Sequence, residues 1–240
     1  MRKALLYLST GMVLILVLTA CGKADVKSQN ESETKMDEFT WTKEALLRVR
    51  IDPLTLKNLE FAGALGKGEA KVQASNDPDL AIGFAVDTLP SQCAPISALL
   101  NGSTDLGDEL KLTQFSETSS TGNALYQWVR TFPTTEVATQ RIKEFVTAAP
   151  DCGIYSYTKS SGETTQYNLW TKILSSSPNS IIASGATQYF AVGHVGNATY
   201  FQWLIFDSSN LPTKAEMLMR TQELQSAVEA LLSKEQRENL

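Results

Sequence analysis

The sequence predicts an α+β domain built on a mainly antiparallel sheet. Three observations lead there. The middle of the chain carries short runs rich in β-branched and aromatic residues, separated by turn residues. An amphipathic helix interrupts them at about Thr135 to Ala148. A second, capped helix closes the chain, and its apolar stripe needs a sheet to lie on.

The first element is not part of that domain. Arg2 and Lys3 form a positive end, and Ala4 to Leu18 is dominated by Leu, Val and Ile. A run of about 15 residues suits a signal peptide and falls short of the roughly 20 that span a bilayer as a helix. Leu18-Thr19-Ala20-Cys21 reads as a lipobox. Residues 1–20 are then a lipoprotein signal peptide, and Cys21 carries a diacylglyceryl thioether. Two further acyl-chain facts favour this arrangement: one chain binds a membrane only marginally, at about 0.8 kcal/mol per buried CH₂, while two anchor it stably. The alternative is an ordinary or uncleaved leader with Cys21 incidental. Residues 22–38 hold almost no apolar side chain, which suits a flexible tether. Residues 39–240 form the extracytoplasmic domain, beginning at Phe39 and Trp41.

The charge balance narrows the partners. Removing Arg2 and Lys3 from 21 basic residues leaves 19 against 26 acidic ones, a balance of −7. That disfavours nucleic acid and a broad polybasic contact with anionic lipid. With Cys21 assigned to lipid, Cys93 and Cys152 remain as an even pair. Outside the cytoplasm such a pair is expected to form a disulfide, the alternative being two free buried thiols. Two distant cysteines and the one histidine do not make a tetrahedral metal site.

Within the domain, Thr42 caps a short helix through Leu47, and Asp52-Pro53 ends it. Leu54 to Phe61 has mixed spacing and no assigned element. Residues 63–68 and 75–79 read as loops, and Leu80 to Val86 as a strand. Ser91 to Leu100 predicts a short helix carrying Cys93, ended by Asn101-Gly102. Glu109 to Phe115 and Leu125 to Phe132 predict strands, the second with Tyr126, Trp128, Arg130 and Phe132 on one face. In the helix that follows, Val137, Ala138, Ile142, Phe145 and Val146 form the apolar stripe. Ile154 to Thr158 and Gln166 to Ile173 predict a hairpin, and Ser175 to Asn179 a turn. Ser180 to Gly193 and Ala198 to Phe206 predict a longer hairpin around Gly196-Asn197. Thr213 and Glu216 make a capping box for a closing helix of about 20 residues, with Met217, Thr221, Leu224, Val228 and Leu231 at helical spacing.

Catalytic signals are weak. His194 sits near a hairpin tip with no local nucleophile or acid, and is expected to be an exposed turn residue. Ser156-Tyr157-Thr158-Lys159 matches S-x-x-K, but on a strand its serine and lysine point to opposite faces. Gly66-Lys67 lacks the rest of a phosphate loop. Tyr126, Trp128, Tyr155, Tyr157, Tyr167, Trp170, Tyr189, Tyr200 and Trp203 all lie on expected strands. Most should pack the core, and some could line a cleft for glycans or small organics.

Taken in order, Cys93 before a short helix, Tyr126-x-Trp128-Val129, Phe132-Pro133, an amphipathic helix, Cys152-Gly153, Gly196-Asn197 and a closing helix form a pattern. From about Leu80 to Leu232 it resembles the PknH-like extracellular sensor domain family, in its actinobacterial lipoprotein form. The resemblance implies a twisted, mainly antiparallel sheet with packing helices, a Cys93–Cys152 bridge, a cleft for a ligand and no catalytic activity. The kinase form has two disulfides where this chain has cysteines for one, and no kinase or transmembrane helix accompanies it. The expected function is a cell-surface lipoprotein whose sensor-like, non-catalytic domain binds a small molecule or envelope component. The alternative is an envelope protein–protein module without a small ligand. No cofactor and no ligand-binding residue is assigned from the sequence.

Overall fold

A computed structural model of the chain describes residues 39–61, 69–74, 85–101, 110–117, 122–168, 172–177 and 179–238. The leader, Cys21, the tether, the loops expected at 63–68 and 75–79, Gly102 and Trp170 lie outside these residues. So does most of the strand expected from Leu80 to Val86.

Two antiparallel sheets and several helices make an α+β fold. The helices are α1 (Lys43–Leu47), α2 (Pro53–Asn58), α3 (Ala94–Asn101), α4 (Thr135–Ala148) and α5 (Lys214–Glu238). The strands are β1 (Glu69–Ala74), β2 (Ala85–Leu89), β3 (Leu110–Glu117), β4 (Ala124–Thr131), β5 (Ile154–Lys159) and β6 (Thr164–Asn168). They continue with β7 (Lys172–Ser177), β8 (Ser180–Ser184), β9 (Gln188–Val195) and β10 (Ala198–Ile205). The large sheet has the order β1-β3-β4-β10-β9-β8-β7, and the small one β2-β5-β6.

Local chemistry accounts for the helix starts. Thr42 accepts a hydrogen bond from the Ala45 amide at 3.1 Å. At α2 the sequence reading stops where the chain in fact turns helical. Asp52 accepts from the Leu54 and Thr55 amides at 2.9 Å each, and Pro53 takes the first helical position. There its missing amide costs nothing and its fixed φ suits a helix. The capping box of α5 forms as expected: the Glu216 amide donates to Thr213 Oγ1 at 3.3 Å, and the Thr213 amide donates to the Glu216 carboxylate at 2.7 Å. The helix is longer than expected, at 25 residues. Leu232, not Leu231, is fully buried. In α4, Ala138, Ile142 and Phe145 face the core while Val137 is exposed, which narrows the expected stripe.

Each face of the large sheet has its own cover. One carries Tyr126, Trp128, Phe190, Val192, Phe201 and Trp203 toward α3, α4 and the small sheet. There Cys93 and Cys152 form a disulfide, with Cα atoms 5.5 Å apart. Closing 59 residues contributes about 4 kcal/mol in the chain-entropy model. Arg130, also on this face, is buried and donates to the Leu100 carbonyl at 3.5 Å, at the carboxyl end of α3 where a cation is favoured. The opposite face packs on α1, α2 and α5. Its centre is polar. Gln114, Gln127 and Gln202 stand directly opposite one another on β3, β4 and β10, and all are buried. Gln202 donates to Gln127 at 2.7 Å and to the Leu224 carbonyl at 3.0 Å, while Gln114 exchanges two bonds with the Ile51 backbone. This row ties α5 to the chain entering α2.

Three strand assignments need correction. Ser175 to Ser177 lies in β7, and the turn is tighter, with Ser177 paired to Ser180. The run from Ser180 to Gly193 is two strands, not one, broken after Ser184. The hairpin at 160–163 is present, but its second strand ends at Asn168, and Ile173 belongs to the other sheet.

Candidate functional site

At the edge of the large sheet, β7, β8 and β9 place Lys172 opposite Ser184 and Ser184 opposite Tyr189. Three adjacent strands thus present an ammonium, a hydroxyl and a phenol in one row, with neighbouring strands about 4.8 Å apart. The facing wall is the segment from Leu211 to Leu218, which leads into α5. Asp207 begins this segment by accepting the Ser209 amide at 2.8 Å, a bond that holds its carboxyl below the usual range. Leu211-Pro212 then runs extended into the Thr213 cap, so the first turn of α5 stands off the sheet.

The space between is a cavity of about 730 Å³, within the range that small-molecule sites occupy. Leu174, Ala186, Leu211, Pro212, Met217 and Leu218 give it apolar walls. Lys172, Ser184, Tyr189, Thr213 and Lys214 supply the polar groups. Tyr189 is 4% exposed, its ring edge-on to Phe206 at 5.8 Å between centroids. Burial alone pushes its phenol above the ordinary tyrosine value, and no hydrogen-bond partner for its hydroxyl occurs among the described residues.

The sequence-derived candidates scatter. Cys21 lies outside the described residues. Cys93 and Cys152 are bonded to each other and buried on the face away from the cavity. Ser156 and Lys159 share strand β5 at an odd spacing, and the Lys159 ammonium is 2.7 Å from Glu163 instead. His194 is half-buried rather than exposed. Its Nδ1 lies 3.3 Å from the Gly196 carbonyl, and burial lowers its pKa against the opposing pull of Glu229. Among the described residues no three His, Cys, Asp or Glu side chains gather as a metal site.

Of the aromatics, Tyr155, Tyr157, Tyr189 and Tyr200 are buried. Tyr155, Tyr157 and Tyr167 stack within the small sheet, with centroids 5.5 to 6.4 Å apart. Tyr126, Trp128 and Trp203 form a half-buried row on the disulfide face, with the Lys111 ammonium 5.7 Å above Trp128. Among the described members of the set, Tyr189 alone lines the cavity. A second, shallower depression of about 430 Å³ lies outside the disulfide, between Gln92 and α4. Within it Gln140 donates to Glu144 at 2.8 Å and the Thr147 hydroxyl to the Lys143 carbonyl at 2.8 Å.

Sequence reasoning missed Lys172, Ser184 and the 211–218 wall. Treating residues 180–193 as one strand hid the row that crosses β7, β8 and β9. The available signal was Ser184-Gly185, a turn pair inside a run too long for a typical strand.

No family model matches the sequence, and no curated protein matches it. Among solved structures, the extracellular domain of PknH from Mycobacterium tuberculosis superposes with a TM-score of 0.51 at 13% identity. The match covers 80% of this chain and 99% of that one. At this identity the likeness establishes a shared fold and nothing finer.

Proposed function

We propose that this chain is a cell-surface lipoprotein whose domain binds a small molecule or envelope component and catalyses nothing. Residues 1–20 are removed, Cys21 carries the lipid, residues 22–38 are the tether, and residues 39–240 are the sensor-like domain. The observation that carries the binding reading is the cavity under the start of α5, where apolar walls surround a few polar groups, Tyr189 among them. Such a concave space with a small number of polar groups is the usual form of a small-molecule site. Likeness to a domain that works outside a membrane supports the compartment, as does the disulfide. Among the described residues no helix is long and apolar enough to cross a membrane, so the proposed attachment is through Cys21.

The test is native mass spectrometry of the protein released from its own envelope, beside the variant Ala215→Trp. Ala215 is exposed and lines the cavity, so the larger side chain fills the space without disturbing the core. The expected result is a discrete small-molecule mass on the natural protein that the variant lacks. An unliganded mass in both contradicts the reading, and capture of another protein in its place favours the interaction module. Replacing Cys21 by Ala should release the protein from the membrane; unchanged retention would contradict the lipid anchor.

A further inference from the structure

We propose that the ligand of this cavity is an amphipathic anion: an apolar body ending in a carboxylate or phosphate. The inference rests on the binding reading above and adds the class of ligand. Lys172 and Lys214 reach the cavity from opposite walls, one from β7 and one from the first residue of α5. Neither has an ion pair or hydrogen bond among the described residues. No described lining residue is acidic, although the chain carries 26 acidic residues against 21 basic ones. The cavity therefore inverts the sign of the molecule around it. Such a local field favours an anion over a neutral molecule of the same shape.

The rest of the cavity suits a chain or ring system. Leu174, Met217 and Leu218 line its interior, and Leu211 stays 44% exposed at the segment that borders it. Between head and body, the Tyr189 phenol adds a donor beside Ser184 and Thr213. The amino terminus of α5 is not the anion site. Glu216 already accepts from the Thr213 amide at 2.7 Å and from the Thr213 hydroxyl at 2.7 Å, so the helix supplies its own carboxylate there. The lysines and the phenol are the groups left over. Lysine on an edge strand can also serve only to discourage strand pairing, and the experiment separates that role from binding.

The full-length protein, held in lipid nanodiscs, is photolabelled with diazirine derivatives of decanoate, decyl phosphate and decanol, and the labelled peptides are mapped by mass spectrometry. One or both anions should label residues 184–189 and 211–218 about tenfold more than the alcohol, as two half-exposed charge pairs would give. The variant Lys172→Gln/Lys214→Gln should reduce anion labelling to the level of the alcohol and leave labelling by the alcohol unchanged. The two anionic probes separate carboxylate from phosphate. Equal labelling by the alcohol, or anion labelling that survives in the double variant, overturns the anion assignment while the cavity stands as a binding site. Absence of label from both segments with all three probes overturns the binding reading as well.

Discussion

β9 and α5 run side by side in the same direction, and their two ends have been finished differently. At the far end most polar groups are paired, His194 Nε2 being the buried atom there without a hydrogen bond among the described residues. Gln236 donates to the Val195 carbonyl at 2.9 Å. Arg48 holds the buried Glu235 through Nε at 3.0 and 3.1 Å. Asn197, 3% exposed, bonds the Trp41 indole, the Phe39 carbonyl and the Phe132 carbonyl, each at 2.9 Å. Tyr200 donates to Glu229, and Gln225 donates to both. At the near end Lys172, Lys214 and Tyr189 surround a cavity and are left without partners among the described residues. The same strand and the same helix thus contain one end built for rigidity and one end kept available. β9 has eight residues, so the ends lie about 25 Å apart at 3.4 Å per residue. The chain enters at Phe39, on the rigid end. On the binding reading proposed above, stability and binding are placed at opposite ends of one scaffold, not mixed in one site.

The largest effect should come from breaking the rigid end. Asn197→Ala removes three buried hydrogen bonds and leaves the Trp41 indole and two carbonyls unsatisfied. A loss of about 3 kcal/mol is expected in urea unfolding, with ligand retention unchanged. A loss below about 0.5 kcal/mol would mean that water replaces Asn197 freely and that this end is no lock.

A pair of identical substitutions sharpens the contrast. Tyr200 and Tyr189 both lie on the α5 face of β10 and β9 and both are buried. Tyr200→Phe takes one of two hydrogen bonds from the Glu229 carboxylate, leaving that of Gln225, and should cost about 1 to 2 kcal/mol. Tyr189→Phe removes a hydroxyl that has no partner among the described residues, so the unliganded protein should keep its stability to within about 0.5 kcal/mol. Equal losses in both variants would show that Tyr189 has a structural partner and would remove it from the site.

The smallest effect concerns pH. Burial holds the His194 pKa below its ordinary value, so the folded state disfavours the imidazolium. The Gly196 carbonyl and the Glu229 carboxylate face the ring and oppose that shift without cancelling it. As the pH falls through about 6.5, the unfolded chain takes up a proton before the folded one does. Stability contributed by neutral His194 is therefore full above that pH and declines below it. The carboxyls of Asp52, Asp207 and Glu216 are held below their ordinary values by hydrogen bonds from the Thr55, Ser209 and Thr213 groups, so they stay charged through this window. Chemical denaturation between pH 7 and 5 should show a decline that His194→Asn flattens. An identical slope in the variant would assign the decline to another group.

The sequence was readable where one rule acted alone. Thr213 and Glu216 announced a helix start, Thr135 to Ala148 had one clean stripe, and Cys93 with Cys152 left a single pairing once Cys21 was set aside. It was less readable where two rules competed. Asp52-Pro53 reads as a helix stop, but α1 already ends at Leu47 and the pair instead caps and starts α2. β9 and β10 are buried on both faces, so Tyr189 to Val192 shows no polar alternation by which to mark the break before it. The cavity was hidden for a further reason. Lys172 and Lys214 are far apart in the chain, and only the β7-β8-β9 register and the return of α5 bring them to one space.

The central claim is that the near end binds and the far end does not. Hydrogen exchange on the whole protein, with and without an organic extract of its own cell envelope, tests it directly. Added protection confined to residues 184–189 and 211–218 is the result expected here. Protection confined to Ala94–Asn101 and Thr135–Ala148, or at the tyrosine stack of the small sheet, would contradict it and move the site to the disulfide face.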